Sequence, residues 1–205
     1  MFLLSSTTFS SEQRFNYLEK HDSVSKTWEY WLSDNELIMQ SDDLCVTLNF
    51  QQKQTQSFII ADNKATQYLI VRQGNNLILN KRFHSITIDS SVLHIEKDYP
   101  WVGDYFQLGT WFIEDNAKKV LFSMVLLNQE KLIPMVGESQ GAERIAIGTT
   151  LVDAIKIRVS VPDLRAVFWE STLWFRKSDG VLVKSRIQTG MLPWDCEEMV
   201  LDVSK

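Results

Sequence analysis

Clusters of Asn, Asp, Gly and Ser interrupt this sequence at short, regular intervals, and the runs between them are rich in Ile, Val, Phe, Tyr, Trp and Thr. Such clusters favour turns, whereas β-branched and aromatic residues favour strands. The clusters are Ser33-Asp34-Asn35, Ser41-Asp42-Asp43, Asp62-Asn63-Lys64, Gly74-Asn75-Asn76, Asp89-Ser90-Ser91, Glu114-Asp115-Asn116, Asn128-Gln129-Glu130, Gly148-Thr149-Thr150 and Ser178-Asp179-Gly180. Many short strands at regular spacing are typical of an antiparallel meander or barrel.

Two runs differ in how their apolar residues are distributed. Residues 151–161, LVDAIKIRVSV, alternate apolar and polar side chains, for example Ile157 and Val159 around Arg158. This period of two predicts a strand with one face on a core and one in water. Residues 119–127, KVLFSMVLL, are apolar on both faces. We therefore expect this strand to be covered on both sides and to lie centrally in the sheet.

Residues 168–186, FWESTLWFRKSDGVLVKSR, predict a β-hairpin. A three-residue loop with Gly180 in the left-handed conformation would pair Lys177 with Val181 and Phe175 with Val183. The apolar face then comprises Leu173, Phe175, Val181 and Val183. The opposite face comprises Trp174, Arg176, Leu182, Lys184 and Arg186. This second face either binds a ligand or partner, or simply packs beneath a neighbouring loop.

The chain is expected to form one domain over residues 1–205, because this length suits a single all-β unit. Ser10 followed by Gln13 resembles a capping box and predicts a short helix over residues 11–21, within an N-terminal arm of residues 1–25. Residues 97–106 interrupt the strand rhythm and are expected to connect two halves of one sheet. The predicted fold is all-β and mainly antiparallel, an open or half-closed barrel of about ten strands with this short helix.

The charge balance argues against some partners. Lys and Arg number 21 against 26 Asp and Glu, a net charge of −5. Nucleic acids and anionic membranes require a concentrated positive field, so neither is expected as a partner. The sequence as written shows no signal peptide and no transmembrane segment. It predicts a cytoplasmic monomer or homodimer; a periplasmic or cell-envelope location would apply if a leader once preceded Met1.

No catalytic motif is recognisable, and no cofactor or metal site is predicted. His84 and His94 lie ten residues apart, and they would face each other if Asp89-Ser90-Ser91 turned the chain. A metal site needs three or four converging ligands, and a third is not evident. Cys45 and Cys196 lack zinc-type spacing and are expected to be reduced thiols, although a disulfide between the first and last strands stays open.

Several pieces of the second half resemble uncharacterised bacterial β-rich proteins related to the lipoprotein-carrier (LolA-like) half-barrel superfamily. These pieces are residues 132–138, 143–147, 152–162, Phe168-Trp169 and 173–184. The resemblance implies an incomplete antiparallel barrel around an apolar concave face. In the carriers that face receives acyl chains. The resemblance brings no catalytic residues to this chain.

The sequence contains seven Trp residues, which either fill the concavity of a half-barrel or form a ligand platform. The candidate ligand-binding residues are Trp111, Trp169, Trp174, Arg176 and Lys184. The preferred hypothesis is a non-enzymatic binding protein whose concave apolar face accepts an apolar small molecule, a lipid or a partner segment. The alternatives are an interaction module that pairs through a sheet edge and a hydrolase or metal-dependent enzyme that uses His84 and His94.

Overall fold

The structure of this protein, a computed structural model, describes residues 13–21, 24–51, 53–162, 170–188 and 196–202. These residues form fourteen strands of one antiparallel sheet, where the sequence predicts about ten. The strands are β1 (Gln13–His21), β2 (Val24–Leu32), β3 (Glu36–Gln40), β4 (Leu44–Gln51), β5 (Gln54–Asp62), β6 (Thr66–Gln73), β7 (Asn76–Phe83), β8 (Ile86–His94), β9 (Lys119–Leu126), β10 (Lys131–Ile147), β11 (Thr150–Ser160), β12 (Glu170–Arg176), β13 (Leu182–Gln188) and β14 (Cys196–Leu201). Helical structure in these ranges is limited to residues 105–114, where a 3-10 turn at Tyr105–Gln107 continues into a π-helical turn at Thr110–Glu114, and to a 3-10 turn at Leu127–Gln129.

The sheet is open, and its edges are the two strands that flank the longest connection. The strand order is β8-β7-β6-β5-β4-β3-β2-β1-β14-β13-β12-β11-β10-β9. Because β1 pairs with β14, the first and last described strands meet in the middle of the sheet. Residues 97–106 lie between β8 and β9, so they connect the two edges. The open, mainly antiparallel β fold predicted from the sequence is confirmed.

Two hydrophobic clusters hold the sheet in its curved form. The main core lies on the concave face and draws buried side chains from both halves of the chain, including Tyr17, Leu37, Leu48, Phe122, Ile157, Leu173, Phe175 and Val183. The closing cluster consists of Ile70, Leu77, Leu79, Ile95 and Trp101. Val125 and Leu132, near the β9 edge, pack against this cluster, whereas Ile70 and Leu77 come from near the β8 edge. The closing cluster therefore draws the two ends of the sheet together without strand pairing.

The strand β9 lies at an edge of the sheet, not at its centre as predicted. Both of its faces are covered, since Phe122 enters the main core and Val125 packs on the closing cluster. Its outer edge is also occupied: the Val102 N–H donates to the Ser123 carbonyl at 2.9 Å, and the Ser123 N–H donates to the Pro100 carbonyl at 2.9 Å. The preceding chain thus replaces the neighbouring strand, which explains an apolar pattern on both faces of an edge strand.

The strand β1 occupies Gln13–His21, where the sequence predicts a helix. Phe15 and Tyr17, two residues apart, both pack in the main core. This period of two places both aromatic rings on one face of a strand, and their burial prevails over the capping signal. Ser10, on which that signal depends, lies outside the described residues.

The strand β11 occupies Thr150–Ser160, one residue from the predicted bounds. Ile157 and Val159 are fully buried, and Arg158 between them is exposed. The predicted alternation is confirmed around Arg158. It does not hold along the whole strand, because Val152 and Ala154 are buried in the opposite phase, and Ser160 is buried as well.

The β12–β13 hairpin has the buried face that the sequence predicts. Phe175 and Val183 are both fully buried in the main core, and Gly180 has a φ of 73°. Trp174 and Lys184 are cross-strand partners, as expected from the predicted register.

The tip of this hairpin is longer than predicted. The Arg176 N–H donates to the Val181 carbonyl at 2.7 Å, so the loop has four residues and not three. Phe175 consequently pairs with Leu182, and a bulge restores the predicted register further along. Leu182 is buried in the core, whereas the sequence predicts it on the Trp/Arg/Lys face. The Asp179 carboxylate explains the longer loop, because it accepts hydrogen bonds from the Val181 N–H and the Arg176 guanidinium.

A predicted turn also lies elsewhere. Asp89-Ser90-Ser91 lies within β8, and the chain turns instead at His84 and Ser85, whose φ values are 47° and 68°. Two positive φ values in a two-residue hairpin loop define a turn that normally contains Gly or Asn. His84 and Ser85 are neither Gly nor Asn, which explains why the sequence does not predict a turn at this position.

The concave face is crossed by the protein's own chain. Residues 101–115, here called the inner segment, bury Phe106, Leu108 and Phe112 in the main core. A Cβ atom built on Gly137 of β10 would lie 3.1 Å from the Phe112 ring, which shows how closely the segment approaches the sheet. The apolar concave face is therefore largely filled by the inner segment.

Cys45 and Cys196 are both thiols, on β4 and β14. Four strand spacings separate these strands, roughly 19 Å, which is too far for a disulfide. Of the helical turns in the described ranges, none has the length and apolar character needed to cross a membrane.

Candidate functional site

An open cleft of about 500 Å³ lies between the β2–β3 turn, the inner segment and the tip of the β12–β13 hairpin. We call it the end cleft. Its apolar lining consists of Leu32, Leu37, Phe50, Phe106 and Val181. Its uncharged polar side chains are Gln13, Ser33, Gln107 and Thr110. Its charged side chains are Asp34, Lys53, Glu114 and Asp179. The cleft is concave and combines apolar with polar side chains, as small-molecule sites do, but its eight polar and charged residues outnumber its five apolar ones.

Aromatic packing fixes the inner segment beside the end cleft. The Phe106 ring centroid lies 5.1 Å from that of Tyr30 and 5.8 Å from that of Tyr17. The Tyr17 hydroxyl donates to the Leu182 carbonyl at 2.7 Å. Burial raises the pKa of both tyrosine hydroxyls well above 10.0, so both remain neutral hydrogen-bonding groups. The wall that contains Phe106 is therefore preformed.

A buried amide is the most informative group in the end cleft. Gln107 is 8% exposed, and its Oε1 accepts from the Thr55 hydroxyl at 2.7 Å and from the Gly103 N–H at 2.9 Å. Its Nε2 has no hydrogen-bond partner among the described residues. An unpaired buried donor costs about 1–3 kcal/mol, so such a group calls for an explanation. The Nε2 atom is itself shielded from solvent, and the Gly103 N–H also donates to the Thr55 hydroxyl oxygen at 2.9 Å.

The charged groups of the end cleft are predominantly acidic. Lys53 is held by Asp115 at 2.7 Å and by Glu114 at 3.3 Å. Asp179 is paired with Arg176 at 2.8 Å. The carboxylate of Asp34 is exposed and has no partner within the described part of the chain. The one lysine of the lining is thus already neutralised, and the potential in the cleft is negative.

The inner segment begins its first turn with a carboxylate. Asp104 Oδ1 accepts a hydrogen bond from the Phe106 N–H at 2.9 Å and so caps the turn. Burial raises the pKa of Asp104 above its ordinary value of 3.8. Burial likewise raises the pKa of the adjacent Tyr105 to about 12. Both residues belong to the inner segment but not to the cleft lining.

Of the five candidate residues from the sequence, the structure describes four, and these lie in two places. Trp174 and Lys184 lie on the outer face of the sheet, where the ammonium groups of Lys156 and Lys184 lie 5.6 Å and 5.5 Å from the Trp174 ring centroid. The indole N–H of Trp174 donates to the Glu143 carboxylate. Arg176 is closer to the end cleft, because it binds the lining residue Asp179.

Trp111 also lies close to the end cleft, because it follows the lining residue Thr110 and packs against the main core. Trp169 lies outside the described residues. Sequence reasoning missed Gln107 because its partner Thr55 is 52 residues away in the chain. A single amide within the apolar run YFQLGTWF was the only local signal.

The two histidines do not form a joint site. His84 lies in the turn before β8, and His94 ends that strand, where its Nδ1 lies 3.1 Å from Asn76 Oδ1. A strand of nine residues separates them, roughly 25 Å. Within the described ranges, no three His, Cys, Asp or Glu side chains converge as metal ligands would. The expectation that the two imidazoles could face each other is wrong, because the chain does not turn at Asp89.

No protein-family model matches this sequence, and no curated protein matches it. Solved structures do match. A β-barrel-like protein of the domain of unknown function DUF1849 from Brucella abortus aligns with a TM-score of 0.58 and 6% identity, over 94% of this chain and 98% of that one. This match shows that the two chains share a fold.

Two further matches have lower scores. A DUF1329 family protein from Desulfovibrio piger has a TM-score of 0.32 and 11% identity, over 96% of this chain and 84% of that one. A LolA superfamily protein from Nitrosomonas europaea has a TM-score of 0.23 and 9% identity, over 93% and 83%. The β-barrel-like fold that the sequence resemblance implies is confirmed by the first match, and the lower scores add nothing to it.

Proposed function

We propose that this protein is a non-enzymatic binding protein that holds a small amphipathic molecule in the end cleft. The observation that carries this proposal is the end cleft itself, a concavity of about 500 Å³ in which apolar side chains lie among polar and charged ones. The ligand's apolar part would pack on Leu32 and Phe50, which are partly exposed, and its polar atoms would bond to the polar side chains of the lining.

The proposed binding site is the end cleft and not the concave face that the sequence predicts. The inner segment already fills the concave face with Phe106, Leu108 and Phe112. The end cleft, at about 500 Å³, lies within the range of ~300–1,000 Å³ that small-molecule sites occupy. A compact ligand suits this volume better than a long acyl chain.

Two serines allow a matched test of the cleft. Ser33 lines it, and its N–H and hydroxyl both bond to the Glu36 carbonyl, at 2.9 and 3.3 Å. Ser41 bonds to the Leu44 carbonyl in the same way, at 2.9 and 3.4 Å, in the turn at the opposite end of β3 and away from the cleft. Ser33→Trp should block the cleft. Ser41→Trp places the same side chain in an equivalent turn and leaves the cleft open.

The experiment is native mass spectrometry of the purified protein, together with titration of a neutral solvatochromic dye followed by fluorescence. We expect a co-purified compound or saturable dye binding in the wild type and in Ser41→Trp, and a loss of at least tenfold in affinity in Ser33→Trp. Equal binding by both variants would place the ligand elsewhere. No binding by the wild type would refute the proposal.

A second candidate function is self-association through β8. Four of the six exposed large hydrophobic residues in the described ranges lie on β7 and β8: Phe83, Ile86, Ile88 and Val92. The other edge, β9, is covered by residues 100–102, whereas β8 has no strand on its outer side in the described part of the chain. An uncovered apolar edge promotes pairing with another chain.

A second copy of this chain is the partner that fits this edge. Antiparallel pairing of two β8 strands centred on Ser90 would place Ile88 opposite Val92 twice and Asp89 opposite Ser91. We expect sedimentation velocity to detect a concentration-dependent dimer that Ile88→Lys abolishes. The control is Leu151→Lys, because Leu151 is equally exposed, at 65%, but lies on β11. A monomer at every concentration, or a dimer that survives Ile88→Lys, would refute this candidate.

A further inference from the structure

We infer that the end cleft selects an organic cation, an amphipathic amine whose ammonium group pairs with Asp34 while its hydrocarbon part packs on the apolar side chains of the lining. This inference rests on the proposed function and names the chemical class of its ligand. It is carried by the charged side chains that line the cleft and by the way in which they are already paired.

Acidic side chains outnumber basic ones in the lining of the end cleft. Asp34, Glu114 and Asp179 line it, and Lys53 is the single cation among the described residues of the lining. The Lys53 ammonium lies 2.7 Å from Asp115 and 3.3 Å from Glu114, so two carboxylates share its charge. The lining therefore carries a net negative charge, which attracts cations and repels anions.

Asp34 is the carboxylate of this lining that is open to a ligand. Asp179 is engaged by the Arg176 guanidinium at 2.8 Å, and Glu114 is engaged by Lys53. Asp34 is exposed in the β2–β3 turn, and its side chain has neither an ion pair nor a hydrogen bond within the described ranges. A ligand ammonium group would be its first counterion, whereas a ligand carboxylate would meet only repulsion there.

The apolar side chains beside Asp34 fit the hydrocarbon part of such a ligand. Leu32 and Phe50 both line the cleft and are partly exposed. The Phe50 N–H donates to the Asn35 carbonyl at 2.9 Å, so Phe50 lies against the turn that carries Asp34. The face of an aromatic ring also attracts an ammonium group at close range. A carboxylate beside a phenyl ring and an aliphatic side chain matches an amine with an alkyl or aryl substituent.

The carboxylates of the end cleft are not arranged for a metal ion. Metal sites in proteins bring several ligands to one point. In the described part of the chain, no three His, Cys, Asp or Glu side chains converge in this way. An organic amine needs only one carboxylate and gains the rest of its affinity from apolar contact, so it suits the cleft better than an inorganic cation does.

Three probes of nearly equal size separate charge from apolar contact: cinnamylamine, which is protonated at neutral pH, cinnamyl alcohol and cinnamate. Isothermal titration of the full chain at low salt should show that the amine binds at least about threefold more tightly than either of the others, a factor within the reach of an exposed ion pair. A smaller preference, a preference for the alcohol or the carboxylate, or binding of the neutral dye without binding of any probe would overturn the inference and leave the proposed function standing. If neither the dye nor any probe binds and no compound co-purifies, the proposed function fails as well.

A pair of variants tests whether Asp34 is the source of the preference. Asp34→Asn should lower the ratio of the amine affinity to the alcohol affinity toward one. Asp42→Asn is the control and should keep the wild-type ratio, since Asp42 is exposed at the same position of the equivalent Ser41 turn, away from the cleft. An unchanged ratio in Asp34→Asn, or an equal fall in Asp42→Asn, would overturn the pairing with Asp34.

Discussion

Gly109 and Gly180 lie against each other where the inner segment crosses the tip of the β12–β13 hairpin. A Cβ atom on Gly109 would lie 2.2 Å from the Gly180 carbonyl oxygen and 3.0 Å from the Phe175 ring. A Cβ atom on Gly180 would meet Gly109 only at 3.5 Å, an ordinary contact. The two glycines therefore serve different purposes: Gly109 allows the close approach, and Gly180 allows the positive φ of the turn.

Gly109→Ala should destabilise the protein by about 1–3 kcal/mol, the usual cost of overpacking a core. The φ of Gly109 is −51°, so the backbone conformation itself accepts alanine and the cost is steric. Urea denaturation followed by circular dichroism measures the change. Gly74→Ala is a reference for backbone strain alone, because nothing lies within 4 Å of its Cβ position but its φ of 61° disfavours a residue with a Cβ. A stability of Gly109→Ala equal to that of the wild type would contradict the steric argument.

Gly180→Val should lower stability by about 1–2 kcal/mol, since a residue with a Cβ is strained at a φ of 73°. Gly180→Asn should retain most of the stability, because Asn tolerates the left-handed conformation. Thermal unfolding of both variants gives the comparison. Equal midpoints for the Val and Asn variants would show that the turn relaxes without cost.

The β12–β13 hairpin has one feature that the sequence predicts, its buried face, and one that it does not, the length of its turn. The alternation of Phe175 and Val183 with polar neighbours predicts the buried face, because register follows from burial. The four-residue tip depends on the Asp179 carboxylate, which binds the Val181 N–H and the Arg176 guanidinium. Side chain–backbone bonds of this kind compete with the regular ladder and leave no periodic signal.

The site was less predictable than the fold. Strands follow from local alternation, whereas the end cleft depends on contacts such as Thr55 with Gln107, which are 52 residues apart. From its sequence, the inner segment is predicted only to be an aromatic connection between strands. No pattern in its own residues indicates that it crosses the concave face. The sequence makes Trp174 a candidate for ligand binding because it is an aromatic residue among cations. It does contact Lys156 and Lys184, but these contacts lie on the outer face of the sheet.

Thr55→Val should destabilise the protein by about 1–3 kcal/mol, because it leaves Gln107 Oε1 with a single donor in a buried site. Thr55 is fully buried, and its hydroxyl lies 2.7 Å from Gln107. Thr47→Val is the control: Thr47 is partly exposed on β4, where valine suits a strand. Urea midpoints that fall equally in both variants would contradict a specific role of the Thr55 hydroxyl.

Glu138→Gln should lower stability at neutral pH by less than about 1 kcal/mol, since the ion pairs are largely exposed. Lys119 and Arg158, each 2.9 Å from Glu138, hold the pKa of this carboxyl below its ordinary value. A lowered pKa stabilises the folded state above the unfolded pKa of 4.5, and this contribution is lost as the pH falls through the folded pKa. The difference between wild type and variant should therefore shrink toward acidic pH and at high salt. A difference that persists unchanged in acid would exclude the ion pairs as its cause.

Asp104→Asn should change the pH dependence of stability in the opposite direction. Burial raises the pKa of Asp104 above 3.8, so the folded state binds more protons than the unfolded state between the two pKa values. Its contribution to the free energy of unfolding consequently falls as the pH rises through this window. Asn keeps an oxygen for the Phe106 N–H and carries no charge. Denaturant unfolding from pH 4 to pH 8 should show that the stability of the variant increases relative to that of the wild type as the pH rises. A constant or declining difference would mean that the Asp104 carboxylate is well solvated.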